Sequence, residues 1–105
     1  MKIYIQRKNG KINATAEYNP ETKECVVLKG SIVSEGIAYS KTFRGAKSVE
    51  KMRGDGVVVD CKVTKNVSFK SPSTAANFVT GASTNGMTAW KDKSGKTLKE
   101  LLEEA

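Results

Sequence analysis

The sequence predicts an α+β domain: mainly antiparallel strands, as two hairpins plus a short strand, with two to three short helices packed on the sheet. Three observations predict it. Two alternating runs flank Asn9-Gly10 near the start, and such a pair is a strong hairpin signal because both residues accept positive φ. A valine-rich run from Val57 to Val63 is followed by a polar turn at Lys65-Asn66 and a return from Val67 to Phe69, which reads as a second hairpin. Ser71-Pro72 then opens a helical pattern, with a hydroxyl to cap free N–H groups and proline suited to the first helical position.

Taken in order, Ile3 and Ile5 face one way in the first strand while Tyr4 and Gln6 face the other. Ile12, Ala14 and Ala16 alternate with Asn13, Thr15 and Glu17 in the second. Asn19-Pro20 and the polar residues to Lys23 turn the chain. Cys25 to Leu28 is too continuously apolar for a half-exposed strand, and Lys29-Gly30-Ser31 ends it. A three-strand antiparallel meander is the simple inference. Residues 32–43 have weak periodicity and read as irregular, with room for a short edge strand.

Arg44 to Arg53 reads as a short helix. At about 100° per residue, Arg44, Lys47 and Lys51 fall on one face and Ala46, Val49 and Met52 on the other. Gly54-Asp55-Gly56 stops it. In the valine-rich run, Val57, Val59, Cys61 and Val63 should share one face. In the helix after Ser71, Ala75, Ala76, Phe78 and Val79 are the apolar side, and Gly81 sits where a left-handed cap belongs. Asn85-Gly86 reads as a tight turn, Thr88-Ala89-Trp90 as a short strand and Ser94-Gly95 as another turn. Thr97 and Glu100 have capping-box spacing for a last helix, whose Leu98, Leu101 and Leu102 cover the core. Glu103 and Glu104 oppose its dipole, so its final turn is expected to fray.

Ser71-Pro72-Ser73, Ala75-Ala76, Gly81, Asn85-Gly86, Trp90-Lys91 and Gly95-Lys96, with the earlier block Val26 to Ser31, carry a resemblance over nearly the whole chain. They are similar to the signature of the domain of unknown function numbered 4357. The chain departs from that signature at Met87, where the resemblance implies tryptophan directly after Asn85-Gly86. Such domains often stand behind nucleases of the GIY-YIG type or near restriction-modification genes. They are also distantly similar to a module associated with restriction enzymes and adenine methylases. The resemblance therefore implies a nuclease or modification enzyme as partner, which is an association rather than a mechanism.

Length and composition fit one domain over residues 1–105, strand-rich to residue 69 and carrying the signature in 70–105. No apolar run approaches the roughly 20 residues needed to cross a bilayer, so no membrane partner is expected. The start, MKIYIQRKNG, turns polar too soon for a signal peptide, and the cytoplasm is the expected compartment. Cys25 and Cys61 lie in apolar runs and read as buried free thiols; a disulfide would need a proximity that sequence does not show. Two cysteines without any histidine make no recognisable zinc site, and no cofactor is expected.

The net charge of +7 has a location. Residues 1–35 carry 6 basic and 4 acidic groups, residues 36–70 carry 8 and 3, and residues 71–105 carry 4 and 4. The surplus is thus in the middle third, and it favours a polyanionic partner. With no histidine, every histidine-based acid, base or triad mechanism is excluded, and the carboxylates lack acid–base spacing. The chain is not expected to be an enzyme. The positive end of the Ser71 helix, with Ser71, Ser73 and Lys70, suits a phosphate, although a plain structural cap reads the same way. Trp90 is either core or a platform on which a base stacks beside Thr84, Asn85 and Lys91.

The expected function is a non-catalytic nucleic-acid-binding accessory domain acting on duplex DNA. Its candidate contacts are Arg44, Lys47, Lys51, Lys70, Ser71, Ser73, Thr84, Asn85, Trp90 and Lys91. The rival is a protein-interaction module with incidental charge, and a small-molecule pocket around Trp90 is a weaker third.

Overall fold

Alternation of isoleucine and alanine with polar residues builds the first sheet. The computed structural model describes residues 1–7, 10–37 and 45–104. In it β1 (Lys2–Arg7), β2 (Ile12–Tyr18) and β3 (Cys25–Val27) form the expected meander, and β6 (Val67–Phe69) completes the order β1-β2-β3-β6. Ile3 pairs with Ala16 and Ile5 with Ala14, so one face carries a continuous apolar row. Gly10 takes φ 91° in the first turn, while Asn9 lies outside the described residues. The helix α2 (Pro72–Thr80) packs on the apolar face, touching β2, β3 and β6. Phe69 and Phe78 meet there with ring centroids 5.0 Å apart. Trp90, Phe78, Ile3, Ile5 and Leu98 are the largest fully buried side chains of the core.

The architecture is α+β as expected, with four short helices among the described residues rather than two to three. The other three are α1 (Ala46–Arg53), α3 (Gly86–Ala89) and α4 (Leu98–Glu104). Asp92 anchors the turn into α4 by accepting from the Ser94 and Lys96 N–H groups, and Gly95 takes φ 91°. Thr97 and Glu100 form the capping box: the Glu100 N–H donates to Thr97 Oγ1 at 3.2 Å, and the Thr97 N–H donates to Glu100 Oε1 at 3.3 Å. No helix among the described residues is long and apolar enough to cross a membrane.

Two expectations are corrected. The Val57–Val63 run is not one strand. Asp60 and Cys61 stand at φ 50° and 64°, so the chain reverses inside the run into β4 (Val58–Val59) and β5 (Lys62–Val63). Val58 pairs with Val63, and Val59 is 52% exposed while Val63 is buried, so the four alternating positions do not share a face. The reversal hides from sequence because the second turn residue is cysteine, where glycine is the usual signal. Consequently β6 pairs with β3, Cys25 facing Phe69, instead of returning along the valine run. Ile32 bridges both Asn13 and Lys62 and so ties the small hairpin to the main sheet.

The second correction concerns Thr88-Ala89-Trp90, which is not a strand. Asn85, at φ −79°, caps the single-turn helix α3 with its side-chain oxygen, and Asn85-Gly86 is no positive-φ turn. Only Lys91, just beyond it, makes strand-like bridges, to Tyr4 and to Thr97.

Candidate nucleic-acid interface

The basic row of α1 is set by helical geometry. Ala46 and Val49 are buried, which leaves Lys47 and Lys51 exposed on the opposite side. Arg44, the third member of the expected row, lies outside the described residues. Further along, Lys62, Lys65 and Lys70 are exposed as well. Among the described residues none of these five lysines is ion-paired; the two pairs found are Met1–Glu17 and Lys96–Glu104.

Arg53, the last residue of α1, turns the other way. Its guanidinium donates to the carbonyl oxygens of Phe78 (2.6 Å from Nη2) and Ser34 (2.9 Å) and to Ser34 Oγ (3.0 Å). It thereby satisfies carbonyls at the C-terminal end of α2, where orphan acceptors and the negative dipole end collect. Sequence reasoning missed this role, because only the fold brings α1 to that helix end. Arg53→Met is expected to cost about 2–3 kcal/mol, since buried acceptors lose a charged donor. Arg53→Lys should recover only part, because an ammonium lacks the planar fork. Chemical denaturation of the two variants checks this; unchanged stability in both would reduce Arg53 to a surface charge.

The signature stretch is a lock built on α2. Ser71 caps the helix, accepting from the Thr74 N–H at 3.2 Å. Ser73, Asn77 and Thr80, at helical spacing, face the returning chain. Ser73 Oγ accepts from the Gly86 N–H (3.0 Å), Asn77 Oδ1 accepts from the Thr84 N–H (2.9 Å), and the Thr80 and Thr84 hydroxyls lie 2.7 Å apart. Gly86 packs so closely that a Cβ there would overlap the Pro72–Ser73 peptide. Beyond it, Trp90 is fully buried, and its Nε1–H donates to the Pro72 carbonyl at 2.9 Å.

This geometry sorts the remaining expected contacts. Trp90 belongs to the core, and its ring offers no free face for stacking, which corrects the platform reading. Ser73 is engaged by Gly86, whose backbone covers that side of the α2 start, so the helix end is not an open phosphate site. Ser71 and Thr84 are half-buried and bonded within the lock. Asn85 is exposed; its amide oxygen accepts from the Met87 N–H at 3.0 Å, and its NH₂ makes no bond among the described residues. Met87 packs against the core, so its departure from the signature falls on a core-facing position. Lys91 is exposed at the β1 edge, where its main chain exchanges two hydrogen bonds with Tyr4. The expected set thus separates into the α1 row, an exposed Lys70 and Asn85, and Lys91 at the sheet edge.

Burial pushes the Cys25 thiol up to about 12, which keeps it from acting as a thiolate, and Cys61 is free and half-buried. Among the described residues no three metal-ligating side chains gather.

The family model described as Domain of unknown function (DUF4357) matches residues 3–102. No curated protein and no solved structure matches the chain. The matched span runs from β1 into α4 and includes the whole lock on α2, and on that extent the chain belongs to the DUF4357 family.

Proposed function

We propose that this is a non-catalytic nucleic-acid-binding domain that engages duplex DNA through the lysines of its middle third. The observation that carries the reading is the set of exposed lysines without ion partners among the described residues, in a chain of net charge +7. Unpaired cations attract phosphates and release counterions on contact, which supplies affinity without reading sequence. The domain would act in the cytoplasm as an accessory to the nuclease or modification enzyme that the family resemblance implies.

A salt series tests it. For Lys47→Gln with Lys51→Gln, the slope of log affinity against log salt is expected to fall by about 1.8, near 0.9 per lost phosphate contact on duplex DNA. Stability should stay unchanged and all sequences should weaken alike. An unaltered slope removes the row from the interface. Absence of binding by the unmodified domain at low salt ends the reading.

One observation favours a second reading, protein docking. Ile32 and Val59 share the register row of Asn13 and Lys62, and Val26 pairs with Glu17; all three lie on the sheet face away from α2. None packs into the core, and Val59 is 52% exposed. A partner protein covering that face would protect these residues from solvent, which hydrogen exchange would register.

A further inference from the structure

At the β1 edge the fold makes a cleft of about 310 Å³ that the middle-third lysines do not reach. Its walls include Tyr4, Gln6 and Arg7 from β1, Thr88 from α3, and Lys91 and Lys93 from the segment after it. Three of these are cations without an ion pair among the described residues. The one acid in the lining, Asp92, commits an oxygen to its own turn: Oδ1 accepts from the Ser94 N–H (2.9 Å), the Ser94 hydroxyl (2.7 Å) and the Lys96 N–H (3.0 Å). The cleft therefore keeps a positive balance, with its only carboxylate already hydrogen-bonded.

The backbone adds a second, independent feature. The Tyr4 N–H donates to the Lys91 carbonyl at 2.7 Å, and the Tyr4 carbonyl accepts from the Lys91 N–H at 3.0 Å. In an antiparallel ladder such groups alternate in direction, so the N–H and C=O of Gln6 also point away from β2. Asn13, opposite Gln6, gives its own pair to Ile32, in keeping with that phase. The neighbouring chain does not follow β1 that far, because in the direction of Gln6 an antiparallel partner would be Ala89, which belongs to α3 and gives its N–H to the Asn85 carbonyl. Gln6 thus presents a donor and an acceptor side by side at the cleft, the pattern that the edge of a nucleobase can meet. Tyr4 supplies the one aromatic ring in the lining.

We propose that this cleft is a nucleotide-binding site, taking one base against Tyr4 and the Gln6 main chain and its phosphate on Arg7, Lys91 and Lys93. The site is separate from the α1 row and extends the nucleic-acid reading without depending on that row. Its size lies at the lower end of small-ligand pockets, which fits one nucleotide. The nucleotide comes either free or as a unit of a single strand.

The test is a titration of the isotope-labelled domain with adenosine 5′-monophosphate and with a 5′-phosphorylated single-stranded hexanucleotide, followed at each backbone amide. The expected result is movement of the Gln6, Arg7 and Lys91–Gly95 amides, with the Lys47 and Lys51 amides still. Lys91→Gln with Lys93→Gln should lower the salt slope for the hexanucleotide by about 1.4, near 0.7 per contact on a single strand. Tyr4→Leu should weaken binding about fivefold to a hundredfold if a base stacks there. A thermal melt of each variant separates loss of the site from loss of the fold. Mononucleotide binding at these amides marks the free nucleotide as ligand, whereas hexanucleotide binding alone marks a strand. Shifts confined to other residues, affinities within twofold in every folded cleft variant, or no response to either probe would overturn the site. If the cleft binds nucleotide while duplex DNA is not bound at all, the α1 reading fails and this one stands; the converse pattern does the reverse.

Discussion

Trp90→Ala is expected to destabilise the domain by about 3–5 kcal/mol, measured by urea unfolding. The ring is fully buried at the meeting of α2, α3 and the sheet edge, so its removal leaves a cavity that surrounding backbone cannot fill. The variant also strands the Pro72 carbonyl, which accepts the indole N–H at 2.9 Å. A loss of this size is a large fraction of the roughly 5–15 kcal/mol that holds an ordinary domain together. Trp90→Phe separates the two contributions: it keeps most of the apolar volume and abandons the hydrogen bond, so an intermediate loss is expected. An unchanged unfolding midpoint in Trp90→Ala would place the ring outside the core and restore it as a recognition residue.

Gly86→Ala should rank next, at about 3 kcal/mol, although it adds only a methyl group. The atoms that a Cβ would meet are the Pro72 carbonyl carbon and oxygen and the Ser73 nitrogen, all backbone, so no side chain can rotate aside. α3 would have to lift off α2. That motion would break the Gly86 N–H bond to Ser73 and pull on the Trp90–Pro72 bond. Gly95→Ala is the control. Gly95 sits at φ 91° with open space around its Cβ position, so its cost is conformational and should be about 1–2 kcal/mol. Amide hydrogen exchange at Thr84 and Gly86 reads the lock directly: fast exchange is expected in Gly86→Ala and native protection in Gly95→Ala. Equal exchange in both would mean that the close approach is not what holds the segment.

Local chemistry alone makes much of this chain legible. The meander follows from side-chain alternation at Ile3, Ile5, Ala14 and Ala16, and the caps at Ser71, Gly81 and Thr97 follow from hydrogen bonds within one helical turn. Each of these depends on residues a few positions apart, and short-range patterns report short-range forces. Charge is equally legible: the surplus between residues 36 and 70 is a matter of counting.

Encounters between distant residues belong to the tertiary structure. Asp60 and Cys61 accept a left-handed turn while the second arm of the hairpin, Cys61 to Val63, is held by main-chain hydrogen bonds to Gly30, Ser31 and Val33, and no local propensity announces that. Asn85-Gly86 carries the sequence mark of a hairpin turn, yet the Ser73–Asn77–Thr80 stripe captures the chain first and uses glycine for closeness rather than for positive φ. Arg53 reads as one more surface cation until α1 is placed against the end of α2. The cleft at Tyr4, Gln6 and Lys93 joins residues nearly ninety positions apart. Burial and hydrogen-bond satisfaction are sums over the whole packed chain, so the same residue types settle into different roles once distant segments close on them.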